Sequence, residues 1–268
     1  MPASSMLEGS EQEAIVQMMD TKYSAAAHRT AAVVIGALLL MGCGSNDAQD
    51  DNEPPAAPPM VEPEPAEDAA DSTEDIPIAE LADATWVEET AAEHAIPQRA
   101  MAAYAGAALR IAETRPECNL GWNTLAGVGS VETAHASIDE SGLNAQGVAE
   151  PAIIGPVLDG SEGVMEVEDT DEGEYDDDKQ WDRAVGPMQF LPETWETHAV
   201  DGNFDGEIDP QQIDDAVLTA GVYLCENAED LTDDDEWVQA VTTYNQSLEY
   251  ARDVAGIAES YAGDTADE

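Results

Sequence analysis

Positive charge is what this chain has least of. It carries 8 Lys and Arg against 59 Asp and Glu, a formal net charge of -51 over 268 residues. So few cations exclude binding to a phosphate backbone or an anionic membrane through a basic patch, because nothing would neutralise the anion. No nucleic-acid partner is expected. A chain so charged repels itself unless salt screens it, and the Debye length falls to about 3 Å at molar salt. Acids also crowd 159–178 and 226–236, so a halophilic or salt-tolerant setting is expected, with an acidic tail on an ordinary domain as the alternative. Cysteine is scarce too, with three in the chain. His28, His94, His135 and His198 have no paired metal spacing, and no Gly-x-Ser-x-Gly elbow of a serine hydrolase occurs. The apolar run Ala31–Met41 is eleven residues long, short of the roughly twenty that span a bilayer.

That run follows Lys22 and Arg29 and ends in Gly42-Cys43-Gly44-Ser45. A positive flank, a short apolar stretch and a small-residue break are the marks of a secretion signal. Leu40-Met-Gly-Cys43 resembles the bacterial lipobox, in which the cysteine is lipidated and becomes the first mature residue. A plain secretory signal or a short membrane anchor, with Cys43 incidental, is the alternative. The leader is assigned to 1–42, with Met18 or Met19 as alternative starts. Residues 43–92, rich in Pro, Ala and acid, have almost nothing to bury and are expected to be a disordered tether, with a short amphipathic piece from Ile76 to Ala92.

The folded domain is expected over 93–264. Ala95–Glu113 carries apolar residues at helical spacing, with Pro97 in its first turn. Trp122–His135, Ala216–Cys225, Trp237–Tyr244 and Glu249–Ala262 read as further helices. Only Ala152–Leu158 and Gly163–Val167 suggest strands, enough for a small sheet or flap. A mainly α domain with a small β/loop insertion follows. Cys118 and Cys225 remain in the exported part, where an oxidising compartment permits a disulfide that would clamp two helices together; two buried thiols are the alternative.

Among the 59 acids, Glu132 stands out by position. On a helix it lies four residues after Val128 and seven after Leu125, on the apolar stripe. A carboxyl at an apolar wall has its ionised form disfavoured and its pKa raised, as a general acid needs near neutral pH. Gly127 and Gly129 each cost a helix about 1 kcal/mol relative to Ala. Either a ligand approaches the backbone there, or a packing neighbour needs the space.

Three strings occur in order: Leu125-Ala-Gly-Val-Gly-Ser-Val-Glu132-Thr-Ala-His135, Gly186-Pro-Met-Gln-Phe-Leu-Pro-Glu-Thr-Trp195 and Thr243-Tyr-Asn-Gln-Ser247. Together they resemble the lytic transglycosylases of the lysozyme-like superfamily, closest to the B-type murein enzymes, over roughly 95–262. The resemblance implies a lysozyme-like domain acting on peptidoglycan glycan strands, as a monomer and outside the cytoplasm, with Glu132 as its single acid and base. It implies substrate contacts from Thr133, Met188, Gln189, Phe190, Tyr244 and Asn245. Thr133 departs from the family pattern, which has Ser there. The implied cleavage is non-hydrolytic and gives 1,6-anhydromuramoyl ends, with no cofactor needed for the chemistry. A muramidase and a non-catalytic wall-binding lipoprotein on the same fold are the rivals.

Asp201-Gly-Asn203-Phe-Asp205-Gly206-Glu207-Ile208-Asp209 places oxygen ligands at alternate positions with Gly sixth, as in a calcium-binding EF-hand loop. Glu207 would offer its backbone carbonyl. Gln212 stands where a bidentate Glu belongs, so Asp214 or Asp215 would have to complete a structural Ca²⁺ site; an Asp/Gly turn in an acid-rich chain is the alternative. Trp181, Trp195 and Trp237 are candidates for stacking on sugars or for the core. Asp169, Asp171 and Asp176–Asp178 are expected in a solvated loop over the cleft.

Overall fold

The computed structural model describes residues 53–69, 73, 76–161, 164 and 166–263. The leader 1–42, Cys43 and the tether up to residue 52 lie outside the described residues. The described chain is mainly helical, as expected. Seven α-helices run α1 Ala84–His94, α2 Gln98–Thr114, α3 Trp122–Thr133, α4 Pro192–His198, α5 Ile213–Glu226, α6 Asp234–Tyr244 and α7 Leu248–Ala262. None is long and apolar enough to cross a membrane.

Local chemistry sets several helix starts. The side chains of Asp83, Asp233 and Ser247 each accept two of the first free N–H groups, of α1, α6 and α7 respectively. α2 begins straight after Pro97 and stops before Pro116, which cannot continue a helix. It is the central helix. Ala100, Ala103, Tyr104, Ala107 and Ile111 are all within 1 % of full burial, and α1, α3 and α5 pack around them. The small alanines let the helices approach. α3 lies antiparallel against α7, since Asn123 Nδ2 donates to the Ala258 carbonyl while Glu132 meets Tyr250. Cys118 and Cys225 form the expected disulfide, Cα atoms 5.6 Å apart, joining the turn before α3 to the end of α5 across 107 residues. Closing a loop of that length removes about 4–5 kcal/mol of unfolded-chain entropy.

Two expectations need correction. Part of the proposed tether is not free chain. Residues 54–66 run as a strap over the helices, with Pro58 and Pro63 buried. The strap offers few side chains to the core, but its backbone is bound. α3 has Gly121 at its N-cap and no side-chain cap, and the strap supplies what is missing: Trp122 N–H donates to the Val61 carbonyl at 3.3 Å. The fully buried Asn123 donates to the Pro59 carbonyl at 2.9 Å and accepts from Val61 N–H at 3.2 Å. Farther along, Ala66 N–H reaches the Leu81 carbonyl at 2.8 Å.

The expected strands also fall elsewhere. The two-stranded antiparallel sheet is β1 Gly142–Leu143 with β2 Ala149–Glu150. The stretches around Ala152–Leu158 and Gly163–Val167 make isolated bridges, Ile154 to Val185 and Asp159 to Glu166. Gly155-Pro156 breaks the first run, since proline has no N–H to give a ladder, and Glu166 interrupts the second. This insertion, residues 136–185, carries a small core of Leu158, Val167 and Ala184 shared with Leu191.

Candidate active site

α3 delivers Glu132 to the interior at its last turn, with 4 % of the residue exposed. Tyr250 of α7 donates its hydroxyl to Glu132 Oε1 at 2.9 Å. The other buried carboxyls serve differently. Asp182 accepts from Thr170 N–H and its hydroxyl, Asp171 from Gly173 and Tyr175 N–H, and Asp214 pairs with Arg99. Those oxygens hold backbone or a structural cation. Glu132 is held by a phenol, a neutral donor that tolerates either protonation state of the acid.

Immediately beyond, the chain turns through three consecutive left-handed residues, Ala134, His135 and Ala136, at φ 49°, 58° and 63°. None is glycine, so each costs about 1–2 kcal/mol. Ala134 N–H closes onto the Ser130 carbonyl and His135 N–H onto Gly129, both at 2.9 Å. The His135 ring lies between two hydroxyls, Nδ1 at 3.1 Å from Tyr104 and Nε2 at 3.1 Å from Tyr261. Burial pushes its pKa down to about 4, so the ring is neutral at ordinary pH.

Thr133 connects this turn to the second string. Its hydroxyl donates to the Pro187 carbonyl at 2.7 Å and accepts from Ala136 N–H at 2.9 Å. The Gly186–Phe190 loop is closed by reciprocal backbone bonds between Val185 and Phe190. Gln189 sits at its tip with φ 51° and donates its amide to the Gly186 carbonyl at 3.0 Å. Tyr244, the last residue of α6, donates its hydroxyl to the Met188 carbonyl at 2.7 Å. Burial, then the Glu132 charge, raises the Tyr244 hydroxyl well above the ordinary phenol range. Asn245 follows as the buried C-cap of α6. The structure therefore brings the three strings together around Glu132. Thr133, Met188, Gln189, Phe190, Tyr244 and Asn245 are each 5 % exposed or less.

The two helix glycines have a packing reason. A Cβ on Gly129 would lie 2.0 Å from the Tyr104 hydroxyl, and one on Gly127 would lie 2.9 Å from the Val254 carbonyl of α7. Trp195 and Trp237 belong to the core, at 1 % and 0 % exposure, while Trp181 is half-buried in the insertion. Tyr250, Tyr104 and Tyr261 were not singled out by sequence. Tyr250 is an apolar-stripe residue of α7, and its role depends on the antiparallel packing of α7 on α3, which sequence spacing does not reveal.

In the Asp201–Asp209 loop the side chains turn to nearby amides. Asp201 accepts from Phe204 and Gly206 N–H, Asn203 from Asp205 N–H, Asp205 from Glu207 N–H and Asp209 from Gln211 N–H. Gln212 points away, donating to the Gln146 carbonyl. Asp215 instead faces the loop, accepting from Gly202 and Asp209 N–H, and burial pushes its pKa up to about 7. The all-oxygen set fits a hard cation at the first five positions and lacks the bidentate closing ligand. Among the described residues, three carboxylate oxygens lie within 4.8 Å of one another at Asp169, Asp171 and Asp182 rather than here. Asp171 is 6 % exposed, so that part of the insertion is less solvated than expected.

Fold and site thus define a helical domain that buries a carboxyl at a helix end beneath a tight loop and a Tyr-Asn pair. Residues 179–253 match the family model described as a transglycosylase SLT domain. No curated protein and no solved structure matches the chain. The matched stretch contains Gly186–Phe190, Tyr244, Asn245 and Tyr250. Glu132 and Thr133 lie before it in sequence and reach it through tertiary packing.

Proposed function

We propose that this protein is a lytic transglycosylase of the B-type, cleaving the N-acetylmuramic acid to N-acetylglucosamine β-1,4 bond of peptidoglycan with Glu132 as acid and base. The observation that carries the reading is the convergence on Glu132 of Tyr250 and of the two loops within the transglycosylase SLT match. Glu132 gives its proton to the glycosidic oxygen as the C1–O bond breaks, and the muramoyl acetamido group stabilises the cationic centre. The Glu132 carboxylate then takes the proton of the sugar's own C6 hydroxyl, whose oxygen bonds to C1. The acid is regenerated and no water is consumed. Two glycosidase carboxylates are not needed. The Gly186–Phe190 loop and the Tyr244–Asn245 pair form the floor against which the sugar ring and its acetamido group are held.

The test is the mass of soluble products from purified sacculi. Anhydromuropeptides released by the wild type and lost in Glu132→Gln support the reading. Products heavier by one water would make the enzyme a muramidase, and binding without any soluble product would make it a wall-binding protein.

The same reading places the protein outside the cytoplasm, tied to the membrane by lipid on Cys43. Mass spectrometry of the N-terminal peptide checks this, and an unmodified Cys43 would overturn it. A Ca²⁺ ion held by Asp201, Asn203, Asp205, Asp209 and the Glu207 carbonyl would tighten the loop ahead of α5. Added Ca²⁺ then raises the melting temperature and chelator reverses it; no shift removes the metal.

A further inference from the structure

α7 is fastened to the catalytic helix near both of its ends. Near its start Tyr250 reaches Glu132 Oε1 at 2.9 Å, and near its finish Tyr261 reaches His135 Nε2 at 3.1 Å. The two attachment points on α3 and its terminal turn are three residues apart. His135 also binds Tyr104 of α2 through its other ring nitrogen, at 3.1 Å. One imidazole therefore ties α2 and α7 to the end of α3. It does so from the middle residue of a three-residue left-handed turn that the sequence fills with Ala, His and Ala instead of glycine.

We propose that His135 is a positioning residue for the reaction at Glu132: by joining Tyr104 to Tyr261 it holds the left-handed turn and sets the register of α7, and so the place of the Tyr250 hydroxyl against the acid. The backbone bonds of the turn end the helix at Thr133, but they do not reach α2 or α7. The ring spans all three. Gly129 fits the same design, since any side chain there would displace the Tyr104 hydroxyl that His135 binds. His135 needs no contact with the glycan, and none of its ring nitrogens is left over for one. Its neutral ring offers one donor and one acceptor to two hydroxyls, each able to complement it.

The proposal rests on Glu132 as the reacting acid, and its test separates the two. His135→Gly keeps the turn without left-handed cost, whereas His135→Asn keeps a residue that tolerates it; neither reaches both hydroxyls. Sacculus digestion well below the melting temperature of each variant should give kcat lower by about tenfold to a hundredfold with KM unchanged. Tyr261→Phe should cost less, and less again in the His135→Gly background, where its bond with Ser130 is the connection left to lose. In a crystal structure of His135→Gly the Tyr250 to Glu132 contact should lengthen beyond hydrogen-bond range. Wild-type kcat together with an intact Tyr250 contact, even at a lower melting temperature, overturns the proposal. If the wild type releases no product, the transglycosylase reading falls, and the Tyr250 contact alone decides whether His135 positions the acid.

Discussion

The end of α3 and the acid-rich insertion both bury carboxyls, and they treat them in opposite ways. In the insertion, Asp171, Asp176 and Asp182 spend their oxygens on backbone N–H groups and on a threonine hydroxyl. There the carboxylates replace the ladder hydrogen bonds that the short bridges do not make. At the end of α3, Glu132 instead accepts from the Tyr250 phenol, and the Tyr244 ring is near enough to feel its charge. A carboxyl used as scaffolding cannot change protonation without changing the stability of what it holds. One that accepts from a neutral hydroxyl can, and an acid that gives up and regains a proton within one turnover, as proposed for Glu132, needs that freedom.

The sharpest way to break this comparison is to remove one carboxylate from each region. Glu132→Gln should lower turnover by about 10²–10⁴-fold with little change in melting temperature. Asp182→Asn should do the reverse, costing about 1–3 kcal/mol in a denaturant titration while the folded fraction keeps its activity. Next in size is the disulfide: Cys118→Ser should lower stability by about 2–5 kcal/mol through the long loop it opens, read by urea unfolding. Tyr250→Phe should reduce kcat by about tenfold to a hundredfold, the worth of one hydrogen bond to a charged group, with KM little changed.

The smallest effect concerns pH, and the two regions should differ in sign. Burial raises the Asp182 pKa from 3.8 to about 6 and lowers that of His135 from 6.5 to about 4. The folded insertion favours protonated Asp182, so that contribution is complete below pH 4 and is lost as pH rises through 6. The folded α3 end favours neutral His135, so its contribution is complete above pH 6.5 and is lost as pH falls towards 4. Amide exchange followed from pH 4 to 7 should find protection at 167–182 decreasing and protection at 130–137 increasing. Parallel trends in both regions would undo the distinction.

The helices were legible in the sequence because apolar residues at helical spacing report which face is buried. Ala95–Glu113 and Glu249–Ala262 are found within a few residues as α2 and α7. Glu132 was legible because its neighbours on the stripe are apolar, and the order of three strings gave it company. α4, seven residues long, is too short for a periodicity to register. The strap is hidden from composition, which counts side chains that can be buried, because it is held by backbone carbonyls and amides. In the sequence His135 shows no paired metal spacing and nothing else that marks its ring. Its partners lie 31 and 126 residues away, on helices whose mutual packing no local pattern encodes.

With lipid on Cys43, as proposed, the strap also fixes a working radius. Since residues 54–66 are bound to the body of the protein, the only chain left to separate that body from a lipid on Cys43 is the ten peptide links to Glu53. Fully stretched, they reach about 35 Å. A lipid-bearing form would therefore be leashed close to its bilayer. It would work on the glycan strands nearest the membrane, and lengthening the leash by inserted residues would extend the zone it can trim without altering its active site.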